Sequence, residues 1–324
     1  METHFYLKLF IAFALLLKAT SVFPASLEEI CSEYRQDLEE IIKPETNHHQ
    51  EKHDEFSTGL LWKIETDQDK QPGEPNYLFG IIHSQDRAVT QFPPGVRLAL
   101  AQSHSLIIES ILNEESNKIF LDSIFFPEKE KQKLSELIEA PIYHYLEKTL
   151  PDYGVPLEKL PKLKPWAAFT LIGKPKPVNA ATMDMVLIQT ASSLNKSIIS
   201  LETMKELLEP MENLSINDQI IILNDTVCNH KQIIRDNWEL VQLYLARDLT
   251  GMMAFSDQPH FNEDVFNRYI QEILYKRNKK MLERIIPYLN DGSAFIAVGA
   301  LHLAGEKGLL QKLKERNYKI TQVY

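Results

Sequence analysis

Cysteine is almost missing from this chain: Cys31 and Cys228 are the only two among 324 residues, and no CxxC occurs. Neither has a neighbouring motif that suggests nucleophilic catalysis. In an exported protein the pair is compatible with one disulfide, while two separate thiols are the alternative. A surplus of basic charge is missing too. The 35 Lys and Arg stand against 45 Asp and Glu, a formal charge of −10, which argues against a nucleic-acid partner, because binding phosphates needs a basic surface. Beyond the N-terminus there is no apolar run of membrane-spanning length, which takes about 20 residues.

What the first residues do contain is METHFYLKLFIAFALLLKATSVFPAS. Lys8 precedes an apolar run from Leu9 to Leu17, and small residues follow at Ala19, Ser21, Ala25 and Ser26. A short apolar segment with these flanks has the layout of a secretory signal peptide over residues 1–25, so the chain is expected to be exported, periplasmic or secreted. Glu2 offsets Lys8, which leaves an uncleaved membrane anchor as the alternative. About 300 residues remain, enough for one large domain or two small ones.

Residues 26–57 read as a helix followed by a polar loop carrying His48, His49 and His53. That loop is expected to be solvated, since no apolar framework would fix a ligand geometry there. Strand character then begins with LLWKIET (60–66) and YLFGII (77–82). Pro93-Pro94 open a helix, and SLIIE (105–109) is another apolar run. Strand, turn, helix, strand is the layout of a parallel crossover unit. From about 113 to 287 the apolar spacing turns helical. Prolines at 151, 156, 161, 165, 175 and 177 break that block, and KPWAAF and IGKPKPVNAA read as irregular connections. Further helices are expected near Asp184–Leu194 and Glu263–Pro287. Strand character returns at SAFIAV (293–298), then an amphipathic helix (305–316) and a last strand (318–323).

The two ends of the chain share a plan. YLFGIIH and FIAVGALH are each an apolar strand, then Gly, two residues and His, followed by a helix and a strand. The expected fold is α/β: one central, mostly parallel sheet built from two strand-GxxH-helix-strand units, with a large helical insertion between. Ligands collect outside the carboxyl ends of parallel strands, so adjacent units would bring His83 and His302 together. Glu109 closes a buried strand, and a carboxylate there is costly unless paired or bound to a cation. Two imidazoles and a carboxylate suit a divalent transition ion, Zn, Mn, Fe or Co. Such an ion supports hydrolysis. Glu109 is then either a third ligand or the general base. With no metal, Glu109 and His83 would form an acid/base pair.

These stretches, YLFGIIHSQD with LAQSHSLIIES and AFIAVGALHLAGEKGLLQKLKERNYKI, resemble the TraB/GumN proteins, a group that includes the Tiki metalloproteases. The likeness covers roughly 58–324 as one domain. Weaker matches are Pro165-Trp166, the stretch carrying Asp184, Ala191, Lys196 and Glu202, and the Arg277-Asn278 pair. The resemblance implies a metal-dependent hydrolytic site at His83, Glu109 and His302, with Arg277 and Asn278 beside it as catalytic residues. Arg277 is then expected to reach Glu109 or a substrate carboxylate by a bidentate contact. Asp184 and Glu202 are further candidates. The implied substrate is a peptide or another acyl-type small molecule outside the cytoplasm. Two departures stand out: Arg247-Asp248 replaces the family's usual Gly-Asp, and Ile82 its usual Thr. The wider group resembles erythromycin esterase-like and haem-binding ChaN-like proteins, so a pocket binding haem or a peptide without turnover is the rival reading. Tyr77, Tyr143 and Tyr145 are its candidate haem-facing phenols.

Overall fold

In the computed structural model, residues 26–32, 34, 55–66, 75–111, 113–256 and 260–324 are described. The signal-like segment 1–25 and His48, His49 and His53 lie outside the described residues.

The apolar runs become β1 (Leu61–Thr66), β2 (Asn76–Ile81), β3 (Ser105–Ile108), β4 (Ser197–Ser200), β5 (Ala294–Gly299) and β6 (Tyr318–Gln322). They form one sheet in the order β4-β3-β5-β2-β1-β6. β5 lies parallel to both β2 and β3, and β3 parallel to β4. β1 runs antiparallel to its neighbours β2 and β6, so five of the six strands share a direction. Helices cover the sheet and bury its central strands on both faces. This is why β2 and β5 read as continuous apolar runs rather than as alternating ones. Leu78, Phe79, Phe295 and Ile296 are at most 1% exposed, and each such side chain contributes about 1.5–3 kcal/mol. The edges β4 and β6 are mostly exposed and correspondingly more polar.

Three expectations need correction. The second unit does not close a parallel crossover, because β2 and β3 already flank β5 and leave it no free edge. β6 therefore pairs with β1 at the far side. The sheet is also not built from the chain's two ends alone, since β4 comes from inside the helical block, where KSIISLE does read as a further strand. KPWAAF is no irregular connection: Pro165–Ile172 is a helix with proline in its first turn, where a missing N–H costs nothing. The IGKPKPVNAA stretch is irregular beyond Gly173, as expected.

The helical block holds a second core, in which Trp166, Ala168 and Ile172 pack with Leu223 and Val227 of the Ile216–Cys228 helix. Ile30, Cys31 and Tyr34 from the N-terminal helix join it, and Cys31 is disulfide-bonded to Cys228. Of the two alternatives for the cysteines, the structure has the pair.

Candidate metal centre

Each parallel strand delivers one polar side chain to the same edge of the sheet. β2 leads to His83, β3 to Glu109, β5 to His302 through a 3-10 turn (Ala300–His302), and β4 to Glu202. Past the end of β3 and β4 the pairing continues, with Leu201 N donating to Ile108 O and Glu202 N to Glu109 O. This sets the two carboxylates side by side. Parallel strands with their carboxyl ends at one edge make such a gathering possible.

The two glycines of the GxxH pair do different jobs. A methyl on Gly299 would stand 3.2 Å from Glu109 Oε1, and one on Gly80 would meet Leu303 at 2.9 Å and Ala300 Cα at 3.1 Å. Gly299 thus admits the carboxylate to the backbone, and its N–H donates to Glu109 Oε1. Gly80 lets the turn after β5 lie close against β2. The motifs are also staggered by one residue, with Gly80 opposite Val298 and Ile81 opposite Gly299.

Glu109 is 5% exposed. Its Oε2 accepts from Arg277 Nη2 at 2.8 Å, and its Oε1 lies 3.8 Å from His302 Nε2. Burial alone would raise its pKa. The charges of His302, Arg277 and His83 and the Gly299 N–H outweigh that and hold it at about 2. A carboxylate held so low is a poor proton acceptor near neutrality. Arg277 reaches Glu109 as expected, but its bidentate contact goes to Glu202: Nε lies 3.2 and 3.1 Å from the two carboxylate oxygens, and Nη2 donates to Oε2 at 2.7 Å. Burial raises the pKa of Glu202, and Arg277 offsets part of the rise.

Arg277 and Asn278 stand in the first turn of the Lys276–Asp291 helix, directly after a π-helical turn, Gln271–Tyr275. Arg277 Nη1 donates to Ile273 O inside that wide turn. The KRNKK run thus has its Arg and Asn turned inward, with Asn278 only 3% exposed. Asn278 Nδ2 donates to Lys307 O at 2.9 Å, which fixes the amide's orientation and leaves Oδ1 to face His302 Nδ1. His302 Nδ1 must therefore carry the proton. Burial lowers the His302 pKa to about 4, Glu109 countering and Arg277 and His83 assisting. At neutral pH the ring is uncharged, and Nε2 presents a lone pair to an ionised carboxylate oxygen.

His83 sits differently. Its side chain is half exposed, and Nδ1 pairs with Asp184 Oδ1 at 3.5 Å. Desolvation pulls its pKa down, but the Asp184 contact and the charges of Glu109 and Asp184 raise it on balance. Met183 N donates to Ser84 O, and Gln85 is stitched to Val178 and Ala180. These bonds dock the start of the Met183–Ser193 helix, and with it Asp184, on the His83 loop. Ile82, the departure from the family's Thr, packs its side chain against the sheet core, with its N–H facing Met183 Sδ at 3.5 Å. Among the described residues no group of three His, Cys, Asp or Glu stands at metal-holding spacing. The structure brings Glu109 and His302 together and gives His83 to Asp184.

The three tyrosines do not converge. Tyr77 lies in the sheet core with its hydroxyl toward Gln102, while Tyr143 and Tyr145 flank the helical core, Tyr145 bonded to His230.

A sequence model described as the TraB/PrgY/gumN family matches residues 60–322. The chain belongs to this family. Metalloprotease TIKI2 of Xenopus tropicalis is 24% identical, over 83% of this chain and 60% of that protein. Metalloprotease TIKI1 of Xenopus tropicalis and of Homo sapiens are each 24% identical, over 81% of this chain and 61% of theirs. The chain thus spans about three fifths of the length of these curated relatives. No solved structure matches. Membership accounts for one departure. Arg247 has φ +61°, left-handed backbone that suits glycine, and here Arg247 covers the Tyr324 ring at 4.7 Å instead.

Glu202 was the site residue hardest to read from the sequence. The signal was a repeated pattern: SLIIE and IISLE each end an apolar run in Glu. The π-helical turn that aims Arg277 left no recognisable signal.

Proposed function

We propose that this member of the TraB/PrgY/gumN family is a metal-dependent hydrolase of peptide or other acyl substrates, with His83, Glu109 and His302 holding one divalent transition ion. The observation that carries the reading is the pair His302 Nε2 and Glu109 Oε1. A lone pair and an ionised oxygen face each other 3.8 Å apart in a buried setting. Without a shared cation or proton such a contact is unfavourable. Held together, these two atoms would suit ligation of one such ion. The donor set, imidazole with carboxylate, suits Zn, Mn, Fe or Co. The third donor, His83, comes from the adjacent strand and interacts electrostatically with both partners. When bound, the ion supplies Lewis acidity, polarising a carbonyl and acidifying water.

The chain's own residues prepare this site. Asn278 holds the His302 tautomer, the arrangement that presents a histidine nitrogen to a metal. Arg277 and Gly299 hold Glu109, and Glu202 holds Arg277. We therefore assign Arg277, Asn278 and Glu202 as positioning residues. Glu109, pulled to about 2, fits a ligand better than a general base. The relatives are named metalloproteases, which favours a peptide substrate. The Cys31–Cys228 disulfide supports an oxidising, extracytoplasmic location. Among the described residues no helix is long and apolar enough to cross a membrane.

The test is peptide hydrolysis by the purified chain before and after chelation. Activity lost on chelation, restored by one of the four ions and absent from His302→Ala at every ion concentration is expected. Undiminished hydrolysis by chelated protein refutes the reading.

A further inference from the structure

Beside the sheet edge, the helical block encloses a cavity of about 760 Å³, within the range of small-molecule and peptide sites. Two helices wall it with the same spacing. Ile221, Asp225 and Asn229 lie four residues apart along Ile216–Cys228 and its cap, and Gln232, Asp236 and Leu240 do so along His230–Ala246. The opposite lining is apolar and aromatic, from Phe169, Phe255, Phe266 and Tyr269.

One chain neighbour and two charge interactions relate this cavity to the metal centre. Leu301 lines it one residue before His302. Tyr269 lines it too, and its phenol, pushed up to about 12 by burial, is pulled back by the Arg277 charge. Lys174 stands on its wall, and the charges of Asp184 and His83 interact with it. The cavity thus adjoins the turn that carries His302.

Asp225 is a carboxylate on this wall whose one side-chain partner is a neutral amide. One oxygen accepts from Asn229 Nδ2 at 2.9 Å, and burial raises its pKa to about 6, with only that amide opposing. Among the described residues no Lys, Arg or His is seen to pair with it. A partly buried carboxylate that no cation contacts is costly to keep, even with Lys174 elsewhere on the same wall, and a cationic ligand group would relieve that cost.

We propose that this cavity is the substrate cleft and that it takes a peptide segment with apolar side chains and a primary ammonium group, which pairs with Asp225. The inference rests on the proposed hydrolase for what the segment is delivered to, but its binding is read separately. Asp225 anchors the charge, the aromatic wall takes the side chains, and Leu301 leads the backbone toward His302. The ammonium is either the segment's own amino terminus or a lysine side chain, and both share this chemistry.

Calorimetric titration of the full chain, as purified, with three amide-capped tetrapeptides tests it. One is Leu-Phe-Ala-Leu with a free amino terminus, the second its N-acetyl form, and the third an N-acetyl form with Lys replacing Phe. An ammonium-bearing peptide is expected to bind about tenfold tighter than the neutral one, and the peptide that does so names the source. Asp225→Asn is expected to erase that preference while neutral-peptide binding stays, and Asp225→Glu to keep it. Equal binding of all three by the wild-type chain, no binding of any, or a preference that survives in Asp225→Asn overturns the proposal. If Asp225→Asn does not fold, the wild-type comparison decides alone. His302→Ala separates the two readings: it removes hydrolysis if the metal centre is right, and it leaves the peptide preference intact if the cleft is right.

Discussion

The two GxxH units look like copies in the sequence, yet the structure uses them in opposite ways. His302 is buried, uncharged and locked by Asn278, facing Glu109 across 3.8 Å. His83 is half exposed, raised in pKa and paired with Asp184. The difference comes from the backbone after each glycine. Beyond Gly299 the chain curls into a 3-10 turn that tucks His302 under the Lys276–Asp291 helix, whereas Ile82–Asp86 runs on irregularly along the docked Met183–Ser193 helix. A shared motif therefore delivers two histidines to one sheet edge without giving them equivalent surroundings. One is built into the core and the other stands at its mouth.

The largest expected effect falls on the buried side. Glu109→Ala leaves Arg277 with Glu202 as its one carboxylate partner and the Gly299 N–H without its acceptor, so unfolding by denaturant should show a loss of about 1–3 kcal/mol. A loss below about 1 kcal/mol would mean that water or a shift of Glu202 replaces Glu109, and the buried unit would be no more fixed than the exposed one.

Acid should separate the two histidines by sign, measured on chelated protein. His302 has a folded pKa of about 4 against an ordinary 6.5, so between those values the unfolded chain binds the extra proton. Its contribution then weakens stability as pH falls from 6.5 to 4. His83 is raised, so it stabilises the fold below its ordinary pKa, and this is lost as pH rises through the folded value. Relative to wild type, His302→Gln should gain stability as pH falls from 6.5 to 4, and His83→Gln should lose it above that window, as pH falls through the raised His83 value to 6.5. Parallel slopes would erase the distinction.

The smallest effect belongs to Asp184. Asp184→Asn should leave stability within about 1 kcal/mol, since the His83 side of the pair is half exposed. Metal affinity should weaken about tenfold, because the carboxylate orients the ring. Unchanged affinity would take Asp184 out of the site.

How much of this was legible follows from what each residue answers to. The strands, the two histidines and Glu109 could be placed from the sequence, because apolar runs and a closing polar residue are local patterns. β4 and Glu202 were half legible, as a short apolar run inside a helical block. The position of β6 was not, because strand order depends on which edges of the sheet remain free. Arg277 was legible only through the family resemblance, since its basic run by itself resembles a solvated face, and the wide π-helical turn and two buried carboxylates turn it inward. The tautomer of His302 depends on Asn278 and Lys307, a chain of contacts with no local signature.

The central claim is that His83, Glu109 and His302 hold one ion between them. Elemental analysis of the purified chain beside His83→Ala tests it most directly. One equivalent of a transition metal in the wild-type protein and none in the variant is the predicted result. No metal in the wild type, or the same metal content in both, would contradict it.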